Sequence, residues 1–194
     1  MQESIVRLRP YSGRSALEDW KRVIDLAGAG VALLVLMPIM SMAAVLIRLS
    51  TEGPIILCER LIGRGGRTFV GYKFCVAVAS AEGASPWAER VAEALRKSNL
   101  DQLPQLFNVI RGDMSLIGPR PRTTAEFRDF VRAPECLLTR PGLIGIWQIY
   151  GPTIGDRGTE IALDRYYVRN WSIGLDLTLL SKAISAPHRD DRTA

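Results

Sequence analysis

The chain has 194 residues, 47% of them hydrophobic, and a formal charge of +5. That allows one sizeable core and favours an anionic partner, whether nucleic acid, a phosphorylated small molecule or the acidic face of a membrane. Three widely spaced cysteines (Cys58, Cys75, Cys136) exclude a disulfide framework and a zinc-ligand pattern, and a single histidine, His188 in the polar tail HRDDRTA, excludes a Ser-His or Cys-His pair in the core, so any catalysis must use carboxylates, Lys, Arg or a metal.

A basic segment, residues 1–20, leads into LAGAGVALLVLMPIMSMAAVLI between Asp25 and Arg48, about the length a helix needs to reach across a bilayer. Arg48 and a strand-like run follow it where a secretory signal would place a small-residue cleavage site, so the segment is expected to be retained. Arg7, Arg9, Arg14, Lys21 and Arg22 precede it and Arg48, Arg60, Arg64 and Arg67 follow it, whereas a simple span gathers its basic residues on one side. Pro38 removes a backbone donor near the middle. The pattern predicts a membrane helix over 21–50 that kinks at Pro38 and re-enters the face it came from. A kinked span is the second reading and a buried core helix the third.

Ile55 to Cys58 and Thr68 to Phe74 are β-rich runs around the glycine turn Gly63 to Gly66, the pattern of a hairpin. No P-loop or dinucleotide fingerprint surrounds those glycines. Val76 to Ser85 is small and weakly structured. PWAERVAEALRKSNL predicts an amphipathic helix with Pro86 in its first turn. A second helix begins near Asp101, carries Leu103, Leu106, Phe107 and Ile110, and stops at Gly112. DMSLIGPRPR reads as a loop, Thr124 to Val131 as a short helix, TRPGLIGIWQIYGP as turns, Gly155 to Gly158 as a polar connector, and Glu160 to Trp171 as a helix. The segment NWSIGLDLTLLSKAIS predicts a helix lying either in a headgroup layer or on the core. The tail 187–194 is expected to be disordered.

Asp101 stands where the first N–H groups of a helix are unpaired, a place that suits a capping carboxylate and keeps it ionised. Its neighbours suggest more than a cap. Arg96 and Lys97 precede it, Lys73 ends the hairpin, and Arg120 sits between Pro119 and Pro121, so a helix start ringed by cations is a candidate phosphate site. A nucleic-acid binder would rest on charge alone, with no recognised motif or stacking platform.

The stretches KRVIDLAGAG, GPIILCERLIGRGGRTFVGYKF, LRKSNLDQLPQLFNVIRGDMSLIGPRPR, RPGLIGIWQI and YYVRNWSIGLDL, in this order, cover nearly the whole chain. Together they resemble the bacterial sugar transferases, the small monotopic polyprenyl-phosphate phosphoglycosyl transferases. The resemblance implies an α+β, mainly helical fold: a re-entrant membrane helix and a cytoplasmic catalytic domain, 51–186, with a short β-hairpin and amphipathic interfacial helices. It also implies transfer of a sugar-1-phosphate from a UDP-sugar to polyprenyl (undecaprenyl) phosphate at the cytoplasmic face of the bacterial inner membrane, with release of UMP. The product primes exopolysaccharide or glycoconjugate synthesis. In that pattern an Asp-Glu pair opens the helix, the Asp attacking the phosphate nearer the sugar and the Glu helping to hold Mg²⁺. Asp101 takes the nucleophile's position, and Lys73, Arg96 and Arg120 take basic positions around the phosphates.

Two positions depart from the pattern. The family's Glu is Gln102, leaving Asp101 and Gln102 as a weaker Mg²⁺ pair, and the Arg expected after Lys-Phe is Cys75, which forfeits a two-pronged phosphate contact. Two functional readings follow: a working transferase with an altered metal shell, or an impaired relative that binds its ligands or a polysaccharide-assembly partner and modulates flux.

Overall fold

The computed structural model describes residues 15–50, 52–76, 85–126, 133–150 and 157–185. The apolar stretch forms one 36-residue helix, α1 (Ser15–Ser50), which starts before the predicted boundary at residue 21. Pro38 lies inside it without dividing it into two elements. At 1.5 Å per residue α1 is about 54 Å long. One stripe, with Ala29, Leu33, Leu36, Met40, Ala43 and Ile47 three or four residues apart, packs on the rest of the protein. The opposite side leaves Leu34 75%, Val35 66% and Leu49 74% exposed. A core helix would bury such side chains, so the buried-core reading fails, and the helix is long and apolar enough to cross a membrane.

The expected hairpin is present as β1 (Ile56–Ile62) and β2 (Thr68–Phe74), antiparallel with Ile56 opposite Phe74 and Ile62 opposite Thr68. The first strand is longer than its predicted apolar run, because Glu59 and Arg60, opposite Gly71 and Val70, continue the ladder. Helix α2 (Pro86–Lys97) opens as expected, with the Ser85 hydroxyl accepting from the Ala88 N–H at 3.2 Å. Next come a 3-10 helix, Leu100–Gln105, and α3 (Leu106–Arg111). Gly112 ends α3 at φ 94°, a left-handed conformation that explains why the stop is a glycine.

The predicted loop DMSLIGPRPR instead contains β3 (Ser115–Ile117) and β4 (Arg122–Thr123), and the predicted turns contain β5 (Gly142–Ile144) and α4 (Ile146–Tyr150). Strands of two or three residues are too short to show alternation. They exist because distant partners pair with them: β4 extends the hairpin sheet to the order β2-β1-β4, and β3 lies parallel to β5. Gly118 and Gly142 cross so closely that a Cβ on Gly142 would run into the Gly118 backbone.

The helix expected over Thr124 to Val131 is a 3-10 turn at Thr124–Glu126; residues 127–132 lie outside the described residues. So do 77–84 of the weakly structured stretch, 151–156 of the connector, the first 14 residues and the tail with His188. The helix expected over Glu160 to Trp171 is α5 (Arg157–Arg169). The last helix is α6 (Ile173–Ser185), and Leu179 and Asp176 on it are buried, so it packs on the core.

One core gathers Leu106, Val109, Met114, Ile117, Tyr167 and Leu179; a second lies between α1, β2 and α2 around Ala43, Ile47, Phe74, Val91 and Leu95. Polar bonds lock the start of α1 to the first. Lys21 Nζ donates to the Ile117 carbonyl at 3.0 Å and the Asp176 carboxylate at 2.5 Å. Arg22 donates to the Val109 and Ile110 carbonyls at 2.7 and 2.9 Å at the end of α3. Asp25 accepts from the Ser115 hydroxyl and the Leu116 N–H, each at 3.0 Å. Ile47 is buried against α2, so both ends of α1 rest on the same body.

Candidate active site

Asp101 lies in the first turn of the 3-10 helix, one residue inside its start. A regular α-helix was expected there. Pro104 has no N–H to offer the Leu100 carbonyl four residues back, so the turn tightens into 3-10 geometry before α3 begins. The cap position belongs to Asn99, left-handed at φ 51° and without a side-chain capping bond, so Asp101 is not the cap.

The helix start does not act alone on the Asp101 carboxyl. Burial pushes its carboxyl above the ordinary range, and the Lys73 ammonium, the Arg96 guanidinium and the N–H groups of residues 101 and 102 offset this only in part. Its Oδ1 is buried and accepts no hydrogen bond. The result is a desolvated oxygen in the field of two cations.

Those cations are held by separate elements. Lys73, on β2, pairs with Glu59 across the hairpin at 3.3 Å. Arg96, in the last turn of α2, donates to the Val76 carbonyl at 3.2 Å. Asn108 of α3 keeps β2 against the turn, donating to the Val70 carbonyl at 2.7 Å and accepting from the Tyr72 N–H at 3.2 Å. Cys75 is a free thiol only 3% exposed, so the side chain that stands where an arginine was expected faces inward. Lys97 pairs with Glu93 at 2.6 Å.

Arg120 was expected in the same ring, but its guanidinium pairs with Glu160 on α5 at 3.0 Å, and its N–H donates to Asp164 at 3.2 Å. The Arg120 backbone lies close to Gly145. The Gly145 N–H donates to Gln148 at 2.8 Å, and Gln148 in turn donates to the Gln102 side-chain oxygen at 3.4 Å. Sequence reasoning placed Lys73 and Arg96 around Asp101 as the structure has them, and missed Glu59, Gln148, Glu160 and Asp164. The four-residue spacing of the last two on a predicted helix was the available signal for a shared face.

Beside the turn, a groove of about 520 Å³ opens between α1 and the body, walled by Leu33, Met37, Met40, Phe74, Pro104 and Phe107. Its walls are almost wholly apolar.

No cluster of three His, Cys, Asp or Glu side chains able to hold a metal is found among the described residues. Mg²⁺ commonly uses one or two protein oxygens and completes its shell with water and substrate phosphates. The Asp101 carboxylate, whose Oδ1 is unpartnered, and the neighbouring Gln102 amide oxygen would give such an ion its one or two protein oxygens.

The family model described as bacterial sugar transferase matches residues 16–189. The exopolysaccharide production protein ExoY of Sinorhizobium fredii is 35% identical over an alignment covering 92% of this chain and 88% of its own. The UDP-glucose:undecaprenyl-phosphate glucose-1-phosphate transferase of Caulobacter vibrioides is 35% identical over 93% of this chain and 74% of its own. The UDP-N-acetylgalactosamine-undecaprenyl-phosphate N-acetylgalactosaminephosphotransferase of Aeromonas hydrophila is 35% identical over 84% of this chain and 42% of its own.

Proposed function

The chain belongs to the bacterial sugar transferase family, and from that premise we propose that it moves a sugar-1-phosphate from a UDP-sugar to polyprenyl (undecaprenyl) phosphate at the cytoplasmic face of the inner membrane, priming exopolysaccharide or glycoconjugate synthesis. The observation that carries the reading is the buried, unpartnered Asp101 Oδ1 under the influence of Lys73 and Arg96.

In the first step that oxygen attacks the phosphorus nearer the sugar, and the bond to the UMP oxygen breaks with its electron pair leaving on UMP. In the second, an oxygen of polyprenyl phosphate attacks the same phosphorus and the Asp101 carboxylate is released. Lys73 and Arg96 offset the charge that builds on the transferring group in a site where burial strengthens their effect. Bound Mg²⁺, held by Asp101 and Gln102, would supply further positive charge to the phosphates. The apolar groove beside Pro104 and Phe107 suits the hydrocarbon chain of the lipid acceptor, and the exposed apolar side of α1 suits the bilayer. With both ends of α1 on one body, a re-entrant arrangement explains the basic flanks better than a span.

The test is Mg²⁺-dependent UMP release from a panel of UDP-sugars with polyprenyl phosphate, abolished by Asp101→Asn. No release from any donor would reject catalysis. The second reading, an impaired relative that binds ligands or assembly partners, is favoured by the neutral Gln102. An inactive parent that turns over as Gln102→Glu combined with Cys75→Arg would establish it.

A further inference from the structure

Arg122 is 3% exposed, and the acids facing it from α5, Glu160 and Asp164, are 4% and 0% exposed. Arg122 pairs with Asp164 at 2.9 Å and with Glu160 at 3.1 Å. Each acid also holds Arg120, Glu160 through the guanidinium at 3.0 Å and Asp164 through the backbone N–H at 3.2 Å. Burying charged groups together is a poor way to stabilise a fold, since well-packed apolar residues often do as well or better. Such a network can however dictate one geometry, because leaving any member unpaired is costly.

The geometry at stake is that of residues 118–122. On their other side β5 holds them: the Gly142 N–H donates to the Pro119 carbonyl at 2.9 Å and the Gly118 N–H to the Ile144 carbonyl at 3.0 Å. Arg120 therefore stands on a segment clamped from both sides, bracketed by Pro119 and Pro121, with its side chain still 48% exposed. The same segment adjoins Gly145, from which Gln148 leads to Gln102.

We propose that Glu160 and Asp164 are positioning residues: four apart on α5, they fix residues 118–122 and so set where the Arg120 guanidinium stands relative to the Asp101 turn. This rests on the reading of the site as one that binds substrate phosphates. Glu126 also faces Arg120, and Arg157 pairs with Glu126 at 3.0 Å, so the positioning force is the bonded geometry of the two α5 acids rather than negative charge in general.

Glu160→Gln and Asp164→Asn, alone and each combined with Arg120→Ala, are to be made in the full chain in lipid nanodiscs. The expected result is faster amide exchange at Gly118, Arg120 and Arg122, the segment's three amides, in both single variants, with α3 and β3 unchanged. In the UMP-release assay each single variant loses on the order of tenfold to a hundredfold in kcat/KM, the scale of a misplaced catalytic contact. In the Arg120→Ala background neither adds a further loss. Glu135→Gln, which removes an acid paired with Arg165 and Arg169 on another face of α5, leaves kcat/KM unchanged. Unchanged exchange at 118–122, or losses that add to that of Arg120→Ala, overturns the proposal. A wild-type chain that releases no UMP rejects the functional reading instead, while the exchange measurement still decides whether the acids position the segment.

Discussion

Asn108 joins the Asp101 turn to the strand that carries Lys73, and its replacement gives a magnitude that follows from the structure. Its side chain is fully buried and meets the outer edge of β2, the last strand of the order β2-β1-β4, where the Val70 carbonyl and the Tyr72 N–H have it as their partner. Asn108→Leu keeps the volume and removes both bonds, leaving two strand-edge groups facing a side chain that cannot pair with them. At about 1 to 3 kcal/mol for each buried polar group left unpaired, the expected loss is roughly 3 kcal/mol. For a chain of this size that lowers Tm by roughly 6 to 12 °C. Asn108→Asp sharpens the test. When protonated, the introduced carboxyl can still donate to the Val70 carbonyl, and when ionised it sets a charge against that carbonyl. Its folded-state pKa is thus raised above the unfolded value, so the stability present at low pH is lost as pH rises through the folded pKa. Thermal unfolding in nanodiscs, followed by circular dichroism at about pH 3, below the unfolded pKa of an aspartate, and at about pH 8, should show the Asn108→Asp variant near wild type at the lower pH and well below it at the higher. An Asn108→Leu variant that melts with wild type, or an Asn108→Asp variant indifferent to pH, would refute the bridging role.

Three further outcomes are expected. Burial pushes the Asp164 carboxyl up to about 6 from an ordinary 3.8, so its contribution to stability is present at low pH and falls as pH rises through 6; at about 1.4 kcal/mol per unit the change is roughly 3 kcal/mol, and Asp164→Asn should flatten this part of the stability–pH curve. Lys21→Met strands the 8%-exposed Asp176 without its cation, and chemical denaturation should show a loss of about 3 to 5 kcal/mol. Leu34→Arg with Val35→Arg places two charges on the exposed apolar side of α1, at a cost of about 2.5 to 3.5 kcal/mol each if that side lies deep in the bilayer. The doubly substituted chain should shift from the membrane pellet to the soluble fraction on carbonate extraction, and full retention would show that this side does not face lipid.

What could be read from the residues alone was local. Pro86 in a first helical turn, Gly112 after a short apolar run, the Gly63–Gly66 turn between two β-rich runs and the long uncharged stretch each act through the backbone of their own neighbourhood, and each is found where it was expected. Lys73 and Arg96 were also legible as cations whose charge reaches Asp101, since they stand near the ends of the two elements that precede it.

What only the tertiary structure decided depends on groups far apart in sequence. The strands β3 and β5 exist through a pairing that sets Ser115 against Gly142 across a long stretch of intervening chain. The pKa of Asp101 is raised: a helix start lowers a carboxyl pKa through local dipoles, whereas burial by distant elements raises it and here prevails. The Arg120 guanidinium is held by Glu160 and its backbone N–H by Asp164, two acids on α5 that, one at a time, resemble solvated surface charges. Charge and burial are properties of assembled surroundings, so a chain's own order of residues can nominate its reactive groups while the packing sets their pKa and their aim.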